Sequence, residues 1–119
     1  MTLALSPVET EQLRDLRARL NRVPKGVMGD KSVGPLSKGF FVVCPRVGLS
    51  PQSGGAPAAT VADLKAVIVE ADLVQLKQIV AQLEALKSSA DTKVWRALFD
   101  AGVLSAVITR RLILGGKEH

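Results

Sequence analysis

The residues with most chemical potential in this chain are a glycine-bracketed lysine, one thiol and a series of arginines. The stretch Gly26-Val-Met-Gly29-Asp30-Lys31-Ser32 is close to the end of a phosphate-cradling loop, in which backbone amides and a lysine surround nucleotide phosphates. Three features exclude that use. Asp30 stands where the loop needs a glycine and would aim a carboxylate at the phosphates. No buried strand precedes it, and Gly34-Pro35 follows where a helix must begin. A glycine-rich turn is the expectation. Cys44 is the only thiol, and a nucleophilic thiolate needs a base or a positive microenvironment. The only histidine is His119, and Cys44 sits within Phe40-Phe-Val-Val-Cys-Pro45, so a small buried hydrophobe is expected there.

Other catalytic arrangements fail on the same shortage. There is no placed histidine for a serine triad and no G-x-S-x-G elbow. One Cys and one His build neither a disulfide framework nor a zinc finger. The eleven acids are scattered, and the close pairs Glu9/Glu11 and Glu70/Asp72 read as helix caps or solvated faces. No enzyme activity, small-molecule substrate, metal or cofactor is expected.

Binding is the remaining chemistry. Arg14, Arg17, Arg19, Arg22 and Lys25 form a basic helix edge, extended by Lys31, Lys38 and Arg46. From Arg14 to Arg46 these eight bases face only Asp15 and Asp30. The set suits an acidic protein surface or several phosphates. It is not interleaved with aromatics, so nucleic acid would be held by its backbone rather than by base stacking. Trp95 and Phe99 lie four apart on one helix and read as core. The alternative is an anchor for a partner helix, with Arg110 and Arg111 beside it as a protein interface.

These residues need elements to carry them. Ser6, Pro7 and Glu9 spell a capped helix start, followed by Leu13, Leu16, Leu20 and Val23 at helical spacing until Pro24 stops it. Residues 24–59 hold most of the glycine and proline and predict an irregular arm without a long helix. Within it, Gly39–Pro45 is β-prone, so one short strand is expected, or a hairpin with Val47–Leu49. Residues 50–59 read as a linker. From Thr60 the pattern is helical. Thr60 and Asp63 make a cap-like start, and Val61, Leu64, Val67, Ile68 and Ala71 form an apolar face. Asp72 either extends that helix or caps a new one with Gln75 in the reciprocal position. Leu73 to Leu86 are strongly periodic, Asp91 is a further cap, Gly102 a helix stop, and Val103–Leu114 apolar nearly all round.

The 119 residues bound the chain to a single domain, with a basic helix and arm at 1–59 and a helical core at 60–119. The net charge is +5, of which +4 belongs to residues 1–59 and +1 to residues 60–119. The start MTLALSPVE has no basic region before its short apolar run, which predicts no secretory signal. Val103–Leu114 is broken by Ser105, Thr109, Arg110 and Arg111 and falls short of the ~20 apolar residues that a membrane span needs. An intracellular location, cytoplasmic or nuclear, is the expectation.

The segment Phe99-Asp-Ala-Gly-Val-Leu-Ser-Ala-Val-Ile-Thr-Arg-Arg-Leu112 resembles the helix junction of armadillo-type repeats. Residues 76–111 are also similar to the N-terminal helical domain of transcription elongation factors of the TFIIS type, with Thr92, Gly102, Val103, Val107 and Arg111 at the matching positions. Either resemblance implies a docking module that binds short peptide segments of other proteins, and the second implies a transcription-associated one.

The expected fold is all-α, a small bundle of four to five helices with the irregular arm. The expected function is a non-enzymatic binding or assembly module. Its apolar helical surface, on helices 73–114, docks protein partners or a second copy, and its basic face contacts something acidic. The alternative is nucleic-acid binding through the basic half, as in a small viral or phage structural or accessory protein.

Overall fold

The computed structural model describes residues 4–22, 33–50, 52, 61–89 and 92–116. Lys25, Lys31, the 26–32 turn, the Thr60 and Asp91 caps, His119 and nearly all of the 50–59 linker lie outside them. The described residues form six α-helices and no strand: α1 (Pro7–Arg22), α2 (Val33–Arg46), α3 (Val61–Glu70), α4 (Leu73–Ser89), α5 (Thr92–Asp100) and α6 (Val103–Leu114).

α1 starts on the reciprocal cap that the sequence spells. The Ser6 N–H donates to Glu9 Oε1 at 3.0 Å, and the Glu9 N–H donates to Ser6 Oγ at 3.1 Å. Leu13, Leu16 and Leu20 then fall on one buried stripe. Asp72 caps a new helix rather than extending α3. Its N–H donates to Gln75 Oε1 at 2.9 Å, and the Gln75 N–H donates to Asp72 Oδ1 at 2.8 Å.

α2 replaces the expected strand or hairpin, and it raises the helix count from the expected four or five to six. The reason is visible in which side chains are buried. Ser37, Phe40, Cys44 and Val47 are buried, at helical spacing, while Val42 is exposed and Phe41 and Val43 are half-buried. A strand would have buried alternate residues. Burial at a 3.6-residue period therefore overrides the β preference of Phe and Val. Pro35 is tolerated in the first turn, where its missing N–H has no helical partner in any case. Pro45 removes one bond only in the last turn. The helix closes in a Schellman motif: the Leu49 N–H donates to the Cys44 carbonyl at 2.7 Å and the Gly48 N–H to Pro45 at 3.4 Å. Gly48 takes the left-handed conformation, φ 81°, that this closure requires.

α6 is the central element. It packs against α1, α3, α4 and α5, and Val103, Leu104, Val107, Ile108 and Leu112 are all buried. Gly102, with φ 79°, makes the sharp turn that lets α6 follow α5 directly. One apolar cluster runs from Leu5 through α1 and α2 to Leu112, so residues 1–59 contribute to the same core as residues 60–119.

Candidate functional site

The structure splits the basic residues into two groups. The first group holds helices together. Arg17 Nη1 donates to Thr109 Oγ1 at 3.2 Å, joining α1 to α6. Arg110 Nε donates to the Ala71 carbonyl at 2.7 Å, tying α6 to the turn between α3 and α4. Arg111 is only 2% exposed, and its Nε donates to the Val47 carbonyl at 2.7 Å at the end of α2. Burial lowers its pKa, opposed by the Glu9 carboxylate. An arginine nevertheless stays charged at that position.

The second group faces solvent. Arg14, Arg19 and Arg22 are exposed on α1, and Lys38 and Arg46 on α2. On α1 the positive charge is diluted, because Glu9, Glu11 and Asp15 accompany the four arginines and Arg19 Nε pairs with Asp15 Oδ2 at 3.1 Å. α2 differs: its fourteen residues contain no acid. Lys38, Val42 and Arg46 repeat every four residues and are all exposed, which sets them on one stripe about 12 Å long.

The four residues proposed from sequence as a protein interface lie elsewhere than on an open surface. Trp95 and Phe99 are buried core residues, Arg111 is buried and Arg110 is half-buried against Ala71. Trp95 Nε1 donates to the buried Ser37 hydroxyl at 2.9 Å, and its ring lies 6.0 Å from that of Phe41. The Arg96 guanidinium lies over the Phe99 ring at 5.9 Å and pairs with Asp100 at 2.9 Å. The apolar docking surface expected on helices 73–114 is likewise nearly closed. Among the described residues the large exposed hydrophobics are Val8, Val42, Val67, Val69 and Val74, of which only Val74 lies in that range.

Sequence reasoning missed Ser37, whose burial follows from its place one turn before Phe40, and Val69, one of three valines in the ten residues of α3 and exposed together with Val67. The remaining chemical candidates do not assemble. Cys44 is buried, and its thiol is pushed up to about 12 by desolvation first and by the Glu84 charge second. It is held as the thiol rather than the thiolate. Among the described residues no group of three or more His, Cys, Asp or Glu is placed to hold a metal ion. No buried side-chain nitrogen or oxygen among them lacks a hydrogen-bond partner. A shallow, open depression at the start of α1 is lined by Pro7, Thr10, Glu11, Arg14 and Asp15, with both charge signs on its wall. No helix among the described residues is long and apolar enough to cross a membrane. No protein-family model, curated protein or solved structure matches the chain.

Proposed function

We propose that this chain is a non-enzymatic helical binding module that docks an acidic protein partner. The observation that carries this reading is the Lys38–Val42–Arg46 stripe of α2. It is an apolar side chain between two cations, on a helix without a single acid. A partner helix with acids flanking one apolar residue satisfies such a stripe: Val42 loses water while both charges find partners. Arg14 and Arg22 are exposed as well, on α1, which packs against α2.

Two features favour a protein over a nucleic acid. The aromatic residues Phe40, Trp95 and Phe99 are buried and Phe41 is half-buried against Trp95, which leaves no row of exposed rings for base stacking. The central position of the stripe is apolar, which contributes nothing to holding a phosphate backbone.

The test is affinity capture from the native source with and without nuclease, comparing the wild-type chain with the Lys38→Glu/Arg46→Glu variant. Both positions are exposed, so circular dichroism should show the variant folded. The expected result is a protein partner that survives nuclease and is lost with the variant. Capture that disappears on nuclease treatment and weakens steeply with salt would establish nucleic-acid binding instead.

A further inference from the structure

We propose that α3 pairs in parallel with α3 of a second copy of this chain. α3 lies at the edge of the bundle and, among the described residues, packs mainly on α6 and α4. It does so through Leu64 and Ile68, with Ala71 just beyond its end. Successive residues turn by about 100°, so the direction opposite that buried stripe is held by Ala66 and Val69. Both are exposed, and Val69 is 66% exposed. Packing within the chain gives no reason for a valine there.

The charges beside this seam select the occupant. Lys65 flanks it on one side and Glu70 on the other, both exposed and without an ion-pair partner among the described residues. With Ala66 and Val69 as the a and d positions of a heptad, Lys65 is g and Glu70 is e. In a parallel pair of helices, a g residue meets the e residue five positions on in its partner. Lys65 of each copy therefore meets Glu70 of the other, twice over by symmetry. An antiparallel pair sets g against g and e against e, which opposes lysine to lysine and glutamate to glutamate. The seam is thus complementary to itself in one orientation only. The small Ala66 side chain lets the two backbones come close. A ten-residue helix presents less surface than the ~1,200–2,000 Å² of a standard interface, so the dimer is weak and forms with rising concentration.

The proposal is independent of the α2 stripe and is tested on the intact purified chain by sedimentation equilibrium over a wide concentration range at low salt. The expected mass climbs from the 12.6 kDa of one chain towards twice that value. Val69→Glu should hold it at the monomer, with an unchanged circular-dichroism spectrum because the site is exposed. Lys65→Glu and Glu70→Lys should each weaken the dimer, and the double exchange should restore it. Ala66→Cys should form an intermolecular disulfide on mild oxidation, since identical a positions meet in the parallel register. A monomer at every concentration would overturn the proposal. So would a dimer indifferent to Val69→Glu, or failure of the double exchange to restore what the single changes remove.

Discussion

The indole Nε1 of Trp95 donates to the hydroxyl of Ser37 at 2.9 Å across 58 residues of sequence, with both groups inside the core. This bond joins α5 to α2. Ser37→Ala would leave the indole N–H among apolar neighbours with nothing to receive it, which costs about 1–3 kcal/mol. Urea unfolding followed by the fluorescence of this single tryptophan measures the loss directly. An unchanged midpoint would mean that water reaches the indole and that α2 and α5 are not held together there.

Arg111 reaches from the last turn of α6 to the Val47 carbonyl in the closing turn of α2. Arg111→Met keeps the aliphatic stem and removes the donor, so the carbonyl is left unsatisfied at a cost of about 1–3 kcal/mol. Arg111→Lys should also destabilise, because the bond comes from Nε within a planar fork and an ammonium on a longer stem does not reproduce it. Thermal unfolding of both variants checks this. Equal stability of Arg111→Lys and the wild-type chain would show that charge alone matters at this position.

These two contacts mark where the sequence is readable and where it is not. Helix starts written in neighbouring residues, Ser6 with Glu9 and Asp72 with Gln75, are legible because both partners lie within four positions. The stop at Gly102 and the burial of α6 are legible for the same reason. α2 is not read correctly, because glycine, proline and β-branched residues all argue locally against a helix. What decides it is the burial of Ser37, Phe40, Cys44 and Val47 against distant elements. The basic residues are legible as a group but not in their roles. Nothing near Arg17, Arg110 or Arg111 in sequence identifies Thr109, Ala71 or Val47 as partners. The exposed Lys38 and Arg46 separate from them only once the packing is known.

The cap of α1 carries an acid-side pH dependence. The Glu9 carboxyl is held below its ordinary range, chiefly by the hydrogen bond from the Ser6 backbone N–H and then by the Ser6 side chain, with a smaller attraction from Arg111. A carboxyl whose folded pKa is depressed contributes stability that is present above its unfolded pKa and is lost as pH falls through the folded value. Glu9→Gln keeps an oxygen acceptor but does not titrate. Its stability deficit against the wild-type chain should therefore be full at neutral pH and shrink as pH drops below about 4. Parallel melting curves across that range test this, and a constant deficit would place the Glu9 contribution outside its charge. Ser6→Ala should cost about 1 kcal/mol.

Cys44 predicts the opposite limb. Burial, followed by the nearby Glu84 charge, pushes its thiol up to about 12 in the folded chain, whereas an unfolded cysteine titrates near 8.5. A group with a raised folded pKa contributes stability that is intact below the unfolded value and lost as pH rises towards the folded one. The wild-type chain should therefore weaken from about pH 8.5 upward, as the unfolded state gains a thiolate that the core refuses. Cys44→Ala removes a buried sulfur and lowers stability at neutral pH, but its alkaline limb should be flatter than that of the wild-type chain. Denaturant midpoints of the two chains between about pH 7 and 10 make the comparison. The same burial makes the thiol react with an aromatic disulfide reagent only when the core opens, so Ser37→Ala should speed labelling about tenfold for each ~1.4 kcal/mol of lost stability. Labelling as fast as that of a free thiol, in a chain that circular dichroism shows folded, would remove Cys44 from the core and α2 with it.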